Sequence, residues 1–174
     1  MTALTTPVAP AVTMTSLFEC FADDVWRVLR RFGLSTPDAD DGLQQVFVIA
    51  SRRLVDIEQG RERAFLCAVA TKVAGRLRQR RQQELSELVE PEEPEAPGAP
   101  DEAVERRRLC ARLDSLLTTL EPELREVIVL SYCAGLPRRE VALALGLPEG
   151  TVASRLRRAH ALLAASLKWT DRAA

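Results

Sequence analysis

The chain is 174 residues long, 47% hydrophobic but only 5% aromatic, and its net charge is −1. That length suits one ordinary domain or two small ones, and the apolar fraction is enough for a core. Ala, Leu and Arg dominate and period-two runs of β-branched residues are missing, which excludes a sheet-rich fold and predicts an all-α protein.

The first thirteen residues carry Pro7 and Pro10 and no cation, so residues 1–14 read as a flexible tail rather than a signal peptide. Leu17, Phe21, Val25, Val28 and Phe32 then recur at helical spacing and predict an amphipathic helix from Thr15 to Phe32, stopped by Gly33. Ser35 or Thr36 caps the next helix, with Pro37 at its first position and Asp38, Asp40 and Asp41 at the positive end of its dipole. Leu43, Val46, Phe47, Ala50 and Leu54 form its buried stripe. After a turn near Gly60, a third helix spans Arg63 to Gln82. It sets Phe65, Val69, Val73 and Leu77 toward the core, with Thr71, Gly75, Arg78 and Gln82 opposite.

The small net charge hides blocks of opposite sign. From Arg52 to Gln82 nine cations stand against three acids, and from Glu84 to Glu105 nine acids stand without a cation. Such blocks mark interaction arms or nucleic-acid surfaces as well as solvated faces. Within the acidic block Pro91, Pro94, Pro97 and Pro100 forbid a stable helix. Residues 84–104 therefore read as an acidic, Pro-rich linker between two small helical domains, residues 15–83 and 105–169. Each is small enough to be only modestly stable alone. The linker is expected to be mobile, leaving the halves free to change their relative placement.

The second half opens with Leu109, Leu113, Leu116 and Leu120 on one stripe, and Glu121-Pro122-Glu123 starts a helix that buries Leu124, Val127, Ile128 and Leu130 and ends at Gly135. From Pro137 to Leu163 the pattern is that of a helix-turn-helix. A short helix with Val141 and Leu145 inward meets the turn Gly146-Leu147-Pro148, and a longer helix follows with Val152, Leu156, Ala159 and Leu163 inward. Ser154 and Arg157 then face outward with Thr151 and Arg158 flanking, and Arg155 lies nearer the packed edge. Short polar and Arg side chains near the start of a second helix are what major-groove reading requires.

Cys20, Cys67, Cys110 and Cys133 are scattered without a CxxC pair, and His160 is the only histidine. Zinc spacing and a disulfide framework are absent, so the thiols read as buried apolar groups in a reducing cytoplasm. No apolar run approaches the ~20 residues of a membrane span. With no phosphate loop and no metal cluster, no catalytic constellation assembles; neither an enzyme nor a cofactor is expected.

LDSLLTTLEPELREVIVLSYCAGLPRREVALALGLPEGTVASRLRRAHALL, Leu113 to Leu163, closely resembles region four of the extracytoplasmic-function (ECF) sigma factors, most specifically in GLPEGTVASRLRRA. DADDGLQQVFVIASRRL and FLCAVATKVAGRLRQRR, within Asp38 to Arg81, resemble region two of the same family. The resemblance implies a sigma factor that brings core RNA polymerase to promoter DNA, with an anti-sigma factor as a possible further partner. It implies that Asp40, Asp41, Gln44 and Gln45 meet the polymerase clamp. It also implies that residues between Gly60 and Arg81, with Lys72, Arg76 and Arg78 as the cations, meet the unwound minus-ten element. Thr151, Ser154, Arg155, Arg157 and Arg158 would then meet the duplex minus-thirty-five element. Several positions depart from the family pattern: Gly42 replaces a bulky apolar residue and Gln45 an acid. Thr71-Lys72 replaces Arg-Asn, Phe65 a Trp, Pro137 a capping Ser and Ala153 a Lys. Two other readings fit the residues: a helix-turn-helix regulator that never engages polymerase, and a sigma-like adaptor that binds only proteins.

Overall fold

A computed structural model describes residues 12–85 and 111–172, with side chains for 12–83 and 111–166. Linker residues 86–104 and Cys110 lie outside them, as does the tail up to residue 11, whereas Glu84 and Leu85, expected in the linker, continue the third helix. The described residues form helices α1 (Met14–Arg31), α2 (Thr36–Arg52), α3 (Glu62–Leu85), α4 (111–118), α5 (Pro122–Ile128), α6 (Arg138–Leu145) and α7 (Glu149–Arg172), and no strand occurs among them. A 3-10 turn (Leu54–Asp56) follows α2, and a π-helical turn (Val129–Cys133) prolongs α5.

Local chemistry sets the helix ends. Thr13 and Ser16 exchange side-chain and backbone hydrogen bonds in a capping box at the start of α1. The Ser35 hydroxyl accepts from the Asp38 N–H at the start of α2, which makes Ser35 the cap. Pro137 occupies the cap position of α6 with extended backbone and offers no side-chain bond there.

In the first half α1, α2 and α3 pack on one another around Leu17, Val25, Val28, Leu29, Val46, Phe47 and Val73. Gly42 is the closest approach. A Cβ added there would lie 3.2 Å from Leu29 Cδ1 and 3.4 Å from Leu77 Cδ1, so these two leucines fill the volume that a larger residue takes in the family pattern.

Helix α3 corrects one expectation. Thr71 is buried, not opposite the core, and its hydroxyl donates to the Cys67 carbonyl at 2.9 Å. Leu66, Cys67, Ala70 and Ala74 are buried beside Val69 and Val73, so the helix has apolar contacts on most of its circumference. The reason is that α3 serves two partners: α1 and α2 on one side, and α6 of the second half on the other. Burial pushes the Cys67 thiol up to about 12, which keeps it protonated and inert. Cys20 and Cys133, by contrast, are exposed rather than buried. In α4 the stripe also shifts by a residue: Leu117 is fully buried with Leu120, and Leu113 is exposed.

The two halves meet at a buried arginine. Arg125 of α5 donates through Nε to the Leu117 carbonyl (2.7 Å), through one terminal nitrogen to Phe32 (3.2 Å), and through the other to Thr118 (2.8 Å) and Leu120 (3.2 Å). These carbonyls close the C-terminal ends of α1 and α4, where helix acceptors lack intrahelical partners and the dipole favours a cation. Gly33, at φ +87°, admits the guanidinium: a Cβ there would sit 2.9 Å from it. Around this centre Arg78 pairs with Glu126 (3.5 Å), Arg31 with Asp114 (3.0 Å), and Arg63 donates to the Ala134 carbonyl (3.4 Å).

Arg125→Ala should therefore lower stability by about 3 kcal/mol or more, since each buried acceptor left unsatisfied costs ~1–3 kcal/mol. Urea unfolding followed by helical signal should fall to a lower midpoint and split into two transitions as the halves uncouple; one unshifted transition would contradict the role assigned to Arg125. A second expectation follows from the carboxylates at this seam. Burial raises Glu126 and Asp114 above the usual range despite the opposing pull of Arg78 and Arg31 respectively. Their folded form thus binds protons more tightly than the unfolded chain. Their contribution is full below the unfolded values and is lost as pH rises through the folded ones. Urea titrations at about pH 7 and about pH 5 should show that Glu126→Gln removes part of the gain in stability on mild acidification.

Candidate nucleic-acid and polymerase surfaces

Helix α7 lies against α5 and α6, anchored by fully buried Val152 and Ala159 with Leu156 and Leu163 half-buried beside them. Gly146, at φ 66°, makes the left-handed step that ends α6. Pro148 then opens α7, its carbonyl accepting from the Thr151 and Val152 N–H groups. On the far side Ser154 and Arg157 are exposed and Thr151 is half-buried, with the Ser154 hydroxyl donating to the Thr151 carbonyl at 2.9 Å. These are the positions expected to point outward.

The flanking arginines are not free. Arg158 pairs with Glu121 at 3.0 Å, and Arg155, three-quarters buried, pairs closely with Glu123. Both acids come from the start of α5. They escape a reading of the sequence alone because Glu121-Pro122-Glu123 reads there only as a helix start, and the pairing spans more than thirty residues.

On α2, Asp40, Asp41, Gln44 and Gln45 are all exposed. Asp40 accepts the Trp26 indole N–H at 2.8 Å, which ties α2 to α1, while Arg30 lies over the same indole ring. Asp41, Gln44 and Gln45 line a shallow groove with Val48, Ile49 and Arg76 of α3. Lys72 and Arg76 are both exposed. Arg78 is elsewhere: it is half-buried in the seam between halves, on the Phe32 carbonyl (3.4 Å) and Glu126.

The N-terminal part of α3 is likewise shared. A cavity of about 200 Å³ is walled by Arg61, Phe65 and Ala68 on one side and Glu140, Leu143 and Ala144 of α6 on the other. Arg53 lies over the Phe65 ring, 5.8 Å from its centre. Among the described residues no cluster of His, Cys, Asp and Glu has the makings of a metal site, and no helix is long and apolar enough to cross a membrane.

Comparison with known proteins matches the two halves separately. Residues 17–84 match sigma-70 region 2, and residues 110–163 match sigma-70 region 4. The RNA polymerase sigma factor CnrH of Cupriavidus metallidurans is 35% identical over 148 residues, 79% of this chain and 78% of its own. NccH, an RNA polymerase sigma factor of Alcaligenes xylosoxydans xylosoxydans, is 30% identical over 145 residues, 80% of this chain and 78% of its own. The ECF RNA polymerase sigma factor SigE of Mycolicibacterium smegmatis is 30% identical over 140 residues, 79% of this chain but only 54% of that protein. Among solved structures, CnrH in complex with the cytosolic domain of CnrY superposes with a TM-score of 0.66 at 28% identity, covering 89% of this chain and 87% of that one. The sigma factor RpoE in complex with the anti-sigma factor NepR from Bartonella quintana shares the fold, with a TM-score of 0.68 at 20% identity over 88% and 96% of the two chains.

Proposed function

The chain belongs to the sigma-70 family as an ECF RNA polymerase sigma factor, and we propose that it selects promoters through α7 while holding polymerase through α2. The observation that carries this is the outward face of α7. Two exposed polar residues, Ser154 and Arg157, stand over a buried Val152 and Ala159 anchor, just past the tight Gly146 turn. A helix so anchored can enter a major groove without unpacking, and Arg bidentate to guanine is the commonest specific contact there.

The polymerase surface is proposed at Asp41, Gln44 and Gln45, whose side chains project from one side of α2. Asp40 is proposed as a lesser contributor, since its carboxylate already holds Trp26. Lys72 and Arg76, exposed on α3, are proposed to meet the unwound strand. Arg78 is proposed to join them only when the halves separate, because Phe32 and Glu126 occupy it in the packed arrangement. The same separation would uncover Phe65 and Arg61 from α6. CnrH was solved with the cytosolic domain of CnrY, and a protein partner of the anti-sigma kind is proposed for this chain by that likeness. The protein is proposed to have no catalysis of its own and to act in the cytoplasm, beside the polymerase and its DNA.

Run-off transcription with core polymerase on fragments of the host genome tests the promoter role: discrete products that need the chain are expected, and their absence would leave a regulator or adaptor as the better account. Asp41→Arg should abolish holoenzyme formation in a pull-down titration and leave the chain folded, since truncating a charge-paired interface contact costs ~2–5 kcal/mol; undiminished affinity would remove α2 from the interface. Arg157→Ala should lose ~1–3 kcal/mol, concentrated at one base pair of the minus-thirty-five element. A loss spread evenly over single-base variants would make Arg157 a phosphate contact instead.

A further inference from the structure

The recognition helix has its own counter-ions. Glu121 caps α5 by position, yet its carboxylate makes no side-chain bond to its own helix and pairs instead with Arg158 of α7. Glu123, two residues further on, pairs with Arg155. Pro122 stands between them with its backbone angle fixed by its ring, so both acids leave a stiff start of α5 on the side that packs against α7. The Arg158–Glu121 pair is exposed on both sides, and such pairs contribute little to stability, which leaves its placement unexplained by folding alone; Arg155 is the more covered of the two arginines.

We infer that Glu121 and Glu123 are built-in counter-ions that keep Arg158 and Arg155 off the phosphates of non-cognate duplex, so that discrimination falls to Arg157 and Ser154. The inference rests on α7 being the helix that enters the groove. Sequence-independent affinity for DNA grows with the number of phosphates that Lys and Arg neutralise. An arginine already held by a carboxylate must give it up to reach a phosphate, and the carboxylate itself repels the strand. On a loosely docked, non-cognate duplex the phosphates stay at a distance and the acids keep their arginines. Close docking, which Arg157 and Ser154 permit only on the matching sequence, brings the phosphates near enough for exchange. Arg157 makes no ion pair among the described residues, so no described side chain competes with a base for it.

The test uses the full chain with two probes: a random-sequence duplex, and a duplex that the unaltered chain enriches from a randomised pool. Binding is measured at several salt concentrations for the unaltered chain, Glu121→Gln, Glu123→Gln and the double variant. Each freed arginine should strengthen binding to random duplex and steepen its logarithmic salt dependence by about 0.9, so that the gain is about 3.5-fold larger at the low end of a fourfold range of salt. Binding to the enriched duplex should change less, so the preference for it should narrow. Adding Arg158→Ala to Glu121→Gln should erase the gain from Glu121→Gln. The proposal is overturned if slope and preference stay as in the unaltered chain. It is equally overturned if binding to both duplexes weakens, the sign of acids that aim the arginines at phosphate, or if the gain survives Arg158→Ala. Enrichment of no sequence at all would remove α7 as the groove reader and this proposal with it, a result separate from any of the variant outcomes.

Discussion

The arrangement depends on one guanidinium. Arg125 lies in the core of the second half, yet it bonds the carbonyl of Phe32 in the first and three carbonyls at the end of α4. Buried backbone acceptors need partners, and helix C-terminal ends have the most without one. A planar fork with five donors meets several of them at once, which a lysine could not do. Gly33 follows from this, because a side chain there would fill the space of the guanidinium.

From that junction the functional faces are set out by rigid contacts. Arg125 orients α5, α5 packs on α7, and α7 turns Ser154 and Arg157 outward. In the other half Trp26 holds Asp40 and so fixes α2 against α1, leaving Asp41, Gln44 and Gln45 to project from the next turn. Gly42 lets α1 and α3 close beneath that surface. The bulkier residue of the family pattern is thus answered here by Leu29 and Leu77, so the departure alters packing and leaves the exposed face of α2 in place.

Much of this was legible in the sequence, because short-range physics governs it. Ser35 and Pro37 announce the start of α2. Gly146 announces the turn of the helix-turn-helix, and the spacing of Val152, Leu156, Ala159 and Leu163 fixes which side of α7 is packed. The misreadings arise where tertiary contacts override local pattern. A periodicity argument assumes that a helix has a single partner, and α3 has partners on two sides, which is why Thr71 is buried. Leu113 and Leu117 are both leucines within one turn, and only the tertiary contacts choose between them. Arg125 sits in LREV, where an arginine ordinarily faces water, and its partners lie as many as ninety-three residues away. No local pattern encodes a bond of that reach.

The charges at the seam connect the two halves. Arg155 of α7 pairs with Glu123 and also pulls electrostatically on Glu126, which pairs with Arg78 of α3, which in turn bonds the Phe32 carbonyl. A line of alternating charge therefore runs from α7 to the first half. Burial at its middle keeps Glu126 inclined to accept a proton even with Arg78 alongside, so its carboxylate is held at a net cost. A cation withdrawn from either end of that line leaves Glu126 less compensated and makes the packed arrangement harder to keep. Helix α7, proposed above to read the groove, and α3, proposed to meet the unwound strand, thus both bear on one carboxylate, Glu126, through Arg155 and Arg78.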